Sequence, residues 1–253
     1  MSRDVLRQQG KDIARRLGLE ALPSPVPGFD DLMAEAVHGG VWGRPNLALA
    51  DRAICSLAVL SILQRLAALE PMVGAALNLG LTPRSIVEVF VQVGLYAGFV
   101  TTETSAAVAQ EVFSARGLGV PSEPPPSDTE EMLDRKGREM MADLHGERAQ
   151  EGYAAPGNAI TGALYPRAIR YGYGELWSRP ALDRRQRMLC ALAAFTAMGL
   201  ESQLRKFAGS ARNVGLSREE VIEAVIQTAP YSGFPRALNG LAILSEVFQG
   251  VPN

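Results

Sequence analysis

The chain is written twice, and no other feature of the sequence restricts its fold so strongly, because a repeated unit must find two equivalent packing environments. Sliding the 253-residue sequence by 135 positions brings Trp42 onto Trp177, Arg44-Pro45 onto Arg179-Pro180 and Leu47 onto Leu182. The same shift pairs Arg52 with Arg187, Cys55 with Cys190, and Asn78 and Gly80 with Asn213 and Gly215. It goes on to pair Glu88, Gln92 and Tyr96 with Glu223, Gln227 and Tyr231, and Gly98-Phe99 with Gly233-Phe234. About a third of the positions from Trp42 to Phe113 are identical, without a gap. Upstream, Gly10 after Leu6 matches Gly137 after Leu133 at a shift of 127, so the second copy carries an insertion before its tryptophan. Between the copies, Gly117–Thr129 holds Pro121, Pro124, Pro125 and Pro126 without apolar periodicity and reads as a semi-rigid linker. The expected division is a first repeat over 1–116, the linker over 117–129 and a second repeat over 130–253.

Each copy spells helices. Arg52–Leu66 and Arg187–Gly199 are rich in Ala and Leu and apolar on most sides, as a central buried helix requires. A second helix through Met72–Leu79, or Phe207–Val214, stops at a glycine, Gly80 or Gly215. The third opens with Thr82-Pro83 in one copy and with the capping box Ser217-Arg218-Glu219-Glu220 in the other. It runs to Tyr96 or Tyr231 and stops at Gly98 or Gly233, and a last helix covers Thr101–Phe113 or Arg236–Phe248. No stretch alternates for long enough to be a strand, so the expected fold is all-α.

Hydrophobic residues make up 47% of the chain, enough for a packed core, and a net charge of −2 gives no basic footprint for nucleic acid. The nearly apolar runs Ala53–Leu63 and Met188–Leu200 fall short of the roughly 20 residues that span a bilayer. The charged segment Met1–Arg16 lacks the apolar stretch of a secretory signal, so the expected location is cytoplasmic, with no membrane partner. Two cysteines and two histidines are too few for a disulfide scaffold or a Cys/His zinc site.

The combined pattern resembles the carboxymuconolactone decarboxylase family, related to the alkylhydroperoxidase D proteins. The residues that carry the resemblance are Trp177-Ser178-Arg179-Pro180-Ala181-Leu182, the Arg187 helix, and Asn213-Val214-Gly215-Leu216-Ser217 through Glu223 and Gln227 to Tyr231-Ser232-Gly233-Phe234. Copy one repeats them as Trp42-Gly43-Arg44-Pro45, Asn78-Leu79-Gly80-Leu81-Thr82 and Tyr96-Ala97-Gly98-Phe99. The resemblance implies a tandem bundle of two such helical repeats, a homo-oligomer (most often a trimer), and small-molecule pockets among helices and subunits. It also implies chemistry that this chain lacks. The redox branch uses a Cys-x-x-Cys pair, where this sequence has Arg65 and Ala68, or Leu200 and Gln203. A thiol-dependent peroxidase is therefore the least favoured reading. The decarboxylase branch places a histidine where Met72 and Phe207 stand and a glutamate where Ala53 and Met188 stand. None of those four side chains can transfer a proton.

What survives in duplicate is a polar stripe. Glu88, Gln92 and Tyr96, like Glu223, Gln227 and Tyr231, are four residues apart and share one helix face. As chemistry, Glu88, Tyr96, Glu223 and Tyr231 are candidate catalytic groups. As structure, each glutamate is the natural partner of a buried arginine, Arg52 or Arg187. His38, in a Gly-rich segment before Trp42, is a candidate base found in only one copy. His145, beside Asp143 and Glu147, reads as a surface residue. Cys55 and Cys190 read as small hydrophobes. Trp42, Met72, Phe99, Trp177, Phe207 and Phe234 suit a dry pocket that Arg52, Gln92, Arg187 and Gln227 would edge, or they simply fill core. The leading expectation is a lyase of altered mechanism without metal or organic cofactor. It would decarboxylate, isomerise or cyclise a small to medium oxo-acid, lactone or polyketide-type compound. The alternative is an inactive binding or scaffold protein.

Overall fold

Helix α1 (Arg3–Leu17) lies across a π-helical segment, Met33–Trp42, and α7 (Glu130–His145) lies in the same way across a second, Ala168–Glu175. Paired glycines make both crossings possible. A methyl group on Gly10 would sit 1.8 Å from the Ala34 carbonyl oxygen, and one on Gly137 would sit 2.2 Å from that of Ile169. Facing them, Gly39 and Gly174 bring their own backbones against the Leu6 and Leu133 carbonyls. The 127-residue and 135-residue shifts thus belong to two layers of the same motif. The computed structural model describes residues 2–20, 24–150 and 159–249, and these form helices and turns with no strand.

After each π-helix come the elements that the repeat predicts. In the first half these are α2 (Phe29–Leu32), which leads into the π-helix, and then α3 (Leu49–Ile62), α4 (Leu66–Asn78), α5 (Pro83–Ala97) and α6 (Phe99–Ala115). In the second half α8 (Tyr165–Arg167) leads into the π-helix, followed by α9 (Arg184–Met198), α10 (Glu201–Ser210), α11 (Arg218–Gln227), α12 (Ala229–Ser232) and α13 (Phe234–Val247). The caps fall where the sequence puts them: Ser85 N–H donates to Thr82 Oγ1 at 3.1 Å, and Ser217 and Glu220 close a reciprocal box. One helix of the first half becomes two in the second. Pro230 stands where α5 has Leu95 and cannot continue the hydrogen-bond ladder, so α11 ends at Gln227 and α12 restarts at Ala229.

The two halves are wound around each other. Helices α3 and α9 pack together at the centre, α5 lies against α9, and α11 lies against α3. A single buried cluster runs through both halves and includes Ile54, Leu57, Phe90, Leu189 and Leu192. Residues 118–129 carry no regular secondary structure, yet Glu123 reaches Arg84 at 2.5 Å and Arg179 at 3.6 Å, tying the connection to both repeats. Each repeat's Asn holds the end of the crossing helix. Asn78 Nδ2 donates to the Leu17 carbonyl at 3.0 Å, and Asn213 Nδ2 to that of Leu144 at 2.9 Å. No helix of the described residues is long and apolar enough to cross a membrane.

Candidate functional site

Because α5 packs on α9 and α11 on α3, the polar stripes meet arginines from the opposite repeat. Arg187 of α9 donates through Nη2 to Glu88 at 3.1 Å and through Nη1 to Gln92 Oε1 at 2.9 Å, both on α5. Arg52 of α3 donates to Glu223 at 2.9 Å and to Gln227 Oε1 at 3.1 Å, both on α11. Arg179 adds three bonds to Glu88 and Arg44 three to Glu223, the shortest of each at 2.8 Å. All four partners on the stripes are buried, as are Arg52 and Arg187. The glutamates are thus held by guanidinium groups and stand as buried charge partners. Glu88 carries a third, Arg84, at 2.8 Å, where the second repeat has Glu219.

The two polar sets diverge at their far ends. In the set around Arg52, Gln227 Nε2 donates to Ser56 Oγ at 3.1 Å, and the Trp42 indole N–H donates to the Tyr231 hydroxyl at 2.9 Å. The amide and indole donors there both meet acceptors inside the set, while Arg52 Nε, like Arg187 Nε, is buried without one. In the set around Arg187, Ala191 replaces Ser56, so the amide has no hydroxyl to reach on α9. Gln92 Nε2 donates instead to the Tyr96 hydroxyl at 2.9 Å. The Trp177 indole N–H is near the same phenol but is buried without an acceptor in hydrogen-bonding geometry. Burial pushes the Tyr96 phenol far above its usual range and the Tyr231 phenol up to about 12, so both are protonated donors at neutral pH.

Tyr96 and Trp177 open onto a cavity of about 490 Å³ whose walls include Tyr173, Phe195, Gln203 and Phe207, with no charged side chain lining it among the described residues. Phe195 sits 4.6 Å from the Tyr96 ring and 4.9 Å from the Phe207 ring, and Tyr173 stacks on Trp177 at 6.3 Å. Behind this wall is a residue that sequence reading placed on the surface. His145 is only 2% exposed, because α7 turns it inward against Phe207, with 4.8 Å between the rings. Its Nδ1 is 2.9 Å from Ser210 Oγ and its Nε2 is 3.3 Å from the Tyr173 hydroxyl. Burial, with Lys206 and Arg148 adding positive charge nearby, pushes its pKa down to about 4. Leu133, Gly137, Met141 and His145 are spaced four apart and all are buried, so helix phase was the signal that outranked the adjacent Asp143 and Glu147.

The remaining candidates lie elsewhere. His38 lines a groove of about 610 Å³ beside Lys11, Arg15 and Asp30, and burial lowers its pKa. Met72 is buried in the core at the place that Phe207 holds beside the cavity. Phe99 and Phe234 stand on the surface, 60% and 58% exposed, at the starts of α6 and α13. Cys55 and Cys190 are free and buried, and burial raises both thiols, that of Cys190 to about 12. Among the described residues no cluster of three His, Cys, Asp or Glu side chains is placed to hold a metal ion.

Comparison with known proteins gives consistent matches. The chain is 34% identical over 80 residues to the 4-carboxymuconolactone decarboxylase of Acinetobacter baylyi, a stretch covering 32% of this chain and 60% of that protein. It is 32% identical over 73 residues to the nitrosuccinic acid decarboxylase npaB of Metarhizium robertsii, covering 29% of this chain and 51% of that protein. The chain therefore matches somewhat over half the length of these curated relatives. In three dimensions it is similar to a chain of Burkholderia xenovorans LB400 provisionally named a gamma-carboxymuconolactone decarboxylase subunit. That likeness covers 98% of both chains at a TM-score of 0.56 and 18% identity, and it speaks to the fold alone. The family model for carboxymuconolactone decarboxylases matches residues 27–111 and again 163–246, one match per repeat. With more than half of its residues matched in this way, the chain belongs to the carboxymuconolactone decarboxylase family.

Proposed function

We propose that the chain is a decarboxylating lyase with one working site, the cavity between Tyr96 and Trp177, acting on a small to medium oxo-acid or lactone through its own side chains. The observation that carries this reading is a pair of neutral donors side by side. Tyr96 accepts a hydrogen bond from Gln92 and donates to no acceptor among the described residues, and the Trp177 N–H, beside that same phenol, meets no acceptor there in hydrogen-bonding geometry. Loss of CO2 from such an acid breaks the bond to the carboxyl carbon and drives the electron pair onto the conjugated carbonyl oxygen. The enolate formed there accepts from Tyr96 and Trp177, and water then returns a proton to carbon. The uncharged lining favours neutral CO2 over the starting carboxylate. Arg187, itself held by Glu88, keeps Gln92 in position. The two decarboxylases named among the relatives support the reaction class.

The test is CO2 release from 4-carboxymuconolactone, nitrosuccinate and a panel of 3-oxo acids. Tyr96→Phe and Trp177→Phe are each expected to lower kcat/KM by about 10²-fold to 10³-fold, the usual cost of one oxyanion donor. Tyr231→Phe, in the other set, is expected to change it by less than about threefold. Equal losses from Tyr231→Phe and Tyr96→Phe would overturn the assignment. The same uncharged lining also favours a second reading, a binding protein without turnover. In that case a ligand raises the melting temperature, no acid is consumed, and Tyr96→Phe alters only Kd. Assembly into a homo-oligomer, a trimer by family likeness, belongs to the proposal, with the exposed Phe99 and Phe234 as the positions it would cover; light scattering in solution reads the subunit number.

A further inference from the structure

The cavity's second phenol is wired with the opposite polarity to the first. Ser210 Oγ donates to the Lys206 carbonyl oxygen at 3.0 Å, and a hydroxyl has only one proton. That bond assigns Ser210 as the acceptor toward His145 Nδ1, 2.9 Å away, and with it the imidazole proton to Nδ1. With His145 neutral, its Nε2 is a bare acceptor, and the Tyr173 hydroxyl 3.3 Å away is the donor to it. The Tyr173 proton is committed to the protein and its oxygen keeps lone pairs to offer. Tyr96 is the reverse, with a lone pair taken by Gln92 and its proton given to no acceptor among the described residues. Both side chains line the same cavity, and the nearby Tyr96 and Tyr165 phenols, after burial itself, help to push the Tyr173 hydroxyl upward.

We propose that the two phenols read a hydroxy-carbonyl compound, with Tyr96 donating to the ligand's carbonyl oxygen and Tyr173 accepting from its hydroxyl, and that His145 is the positioning residue that fixes Tyr173 as the acceptor. This rests on the proposed reaction only in placing the carbonyl at Tyr96, and it names the substrate class as a hydroxylated or enolisable oxo-acid. The device belongs to one half of the chain. The positions equivalent to His145, Ser210 and Tyr173 hold Gly18, Ala75 and His38, so no such relay exists around Tyr231.

Binding of unreactive probes separates this inference from the reaction. The 3- and 4-hydroxyacetophenones and their O-methyl ethers would be titrated calorimetrically into the full chain. Wild type is expected to prefer one hydroxy isomer over its ether by about tenfold or more, because the ether leaves the Tyr173 oxygen unpaired. Tyr173→Phe and His145→Leu are expected to bring that ratio within about threefold, the latter because the phenol proton swings toward the ligand. His145→Gln, whose amide oxygen can accept the Tyr173 proton, is expected to restore the ratio. Melting curves report whether each variant folds, and Tyr173→Phe carries the test alone if His145→Leu does not. A wild-type protein that ignores the hydroxyl, binds none of the probes, or keeps its preference in Tyr173→Phe or in folded His145→Leu overturns the inference. Should the ratios behave as expected while no acid is decarboxylated, the reaction reading fails and the polarity stands. Tyr96-dependent CO2 release with unchanged ratios has the converse meaning.

Discussion

The two polar sets at the centre of the molecule use the same five residue types, yet one is sealed and the other is unfinished. Around Arg52, the Gln227 amide ends on Ser56 and the Trp42 indole ends on Tyr231. Around Arg187, Ser56 is replaced by Ala191, and the amide moves to Tyr96 while the Trp177 indole is left over. Larger rings follow the same division: Phe195 and Phe207 stand on the cavity side where the other half has Leu60 and Met72. A homodimer of single repeats would have to make both sets alike. Fusion of the repeats removes that symmetry, so one set can be spent on cohesion while the other keeps unpaired donors for a ligand.

The largest expected difference is in the ion pairs. Removing one partner of a buried pair costs about 3–5 kcal/mol because the other charge stays buried. Glu88 faces three guanidinium groups, from Arg84, Arg179 and Arg187, while Glu223 faces two, from Arg44 and Arg52. Glu88→Ala is expected to reach the upper end of that range and Glu223→Ala the lower, read from denaturant melts. Equal losses would break the comparison at its charged end.

Acid stability comes next. His145 binds its proton with a pKa of about 4 when folded, against 6.5 ordinarily, because burial and the nearby Lys206 and Arg148 disfavour the cation. Between those values the unfolded chain holds more protons, so stability is complete above pH 6.5 and falls as the pH drops toward 4. The loss is roughly 3 kcal/mol for this one group. His38, lowered by burial, acts with the same sign. In His145→Gln the slope of stability between pH 6.5 and 4 is expected to flatten, and in His38→Gln to flatten less, by chemical denaturation across that range. A steeper effect from His38 would place the stronger acid sensor in the wrong half.

Much of this architecture was legible in the sequence and the rest was hidden for specific reasons. The repeat, the helix caps at Thr82 and Ser217, and the need of each buried arginine for a glutamate follow from local spacing and from the cost of burying charge. Spacing places Glu88 on a helix face, but it does not say that Arg187 rather than Arg52 lies opposite, since either arginine would satisfy the carboxylate equally well. That choice is made by how α5 packs on α9. His145 was misplaced because the charges of Asp143 and Glu147 were weighed above its phase with Leu133, Gly137 and Met141. The free Trp177 N–H was beyond reach, because it depends on a hydrogen bond that another residue fails to make.

That missing bond can be moved. Ala191→Ser would give Gln92 the acceptor that Gln227 finds in Ser56, on the helix turn after Arg187. The amide would then leave Tyr96, whose hydroxyl would be free to accept from Trp177 as Tyr231 accepts from Trp42. The Trp177 donor of the proposed oxyanion site would be turned inward at the cost of one buried hydroxyl. CO2 release, or probe affinity if no acid is turned over, is expected to fall by about tenfold, which is about 1.4 kcal/mol in barrier or binding. Ser56→Ala makes the opposite change in the sealed set, leaving Arg52 and Glu223 paired and the cavity untouched, and is expected to leave turnover within about twofold. The pair of variants asks whether a single oxygen atom on a central helix decides which half of the chain faces a ligand. If Ala191→Ser leaves turnover and affinity unchanged, the Gln92 amide does not control Tyr96, and the asymmetry must come from the aromatic walls alone.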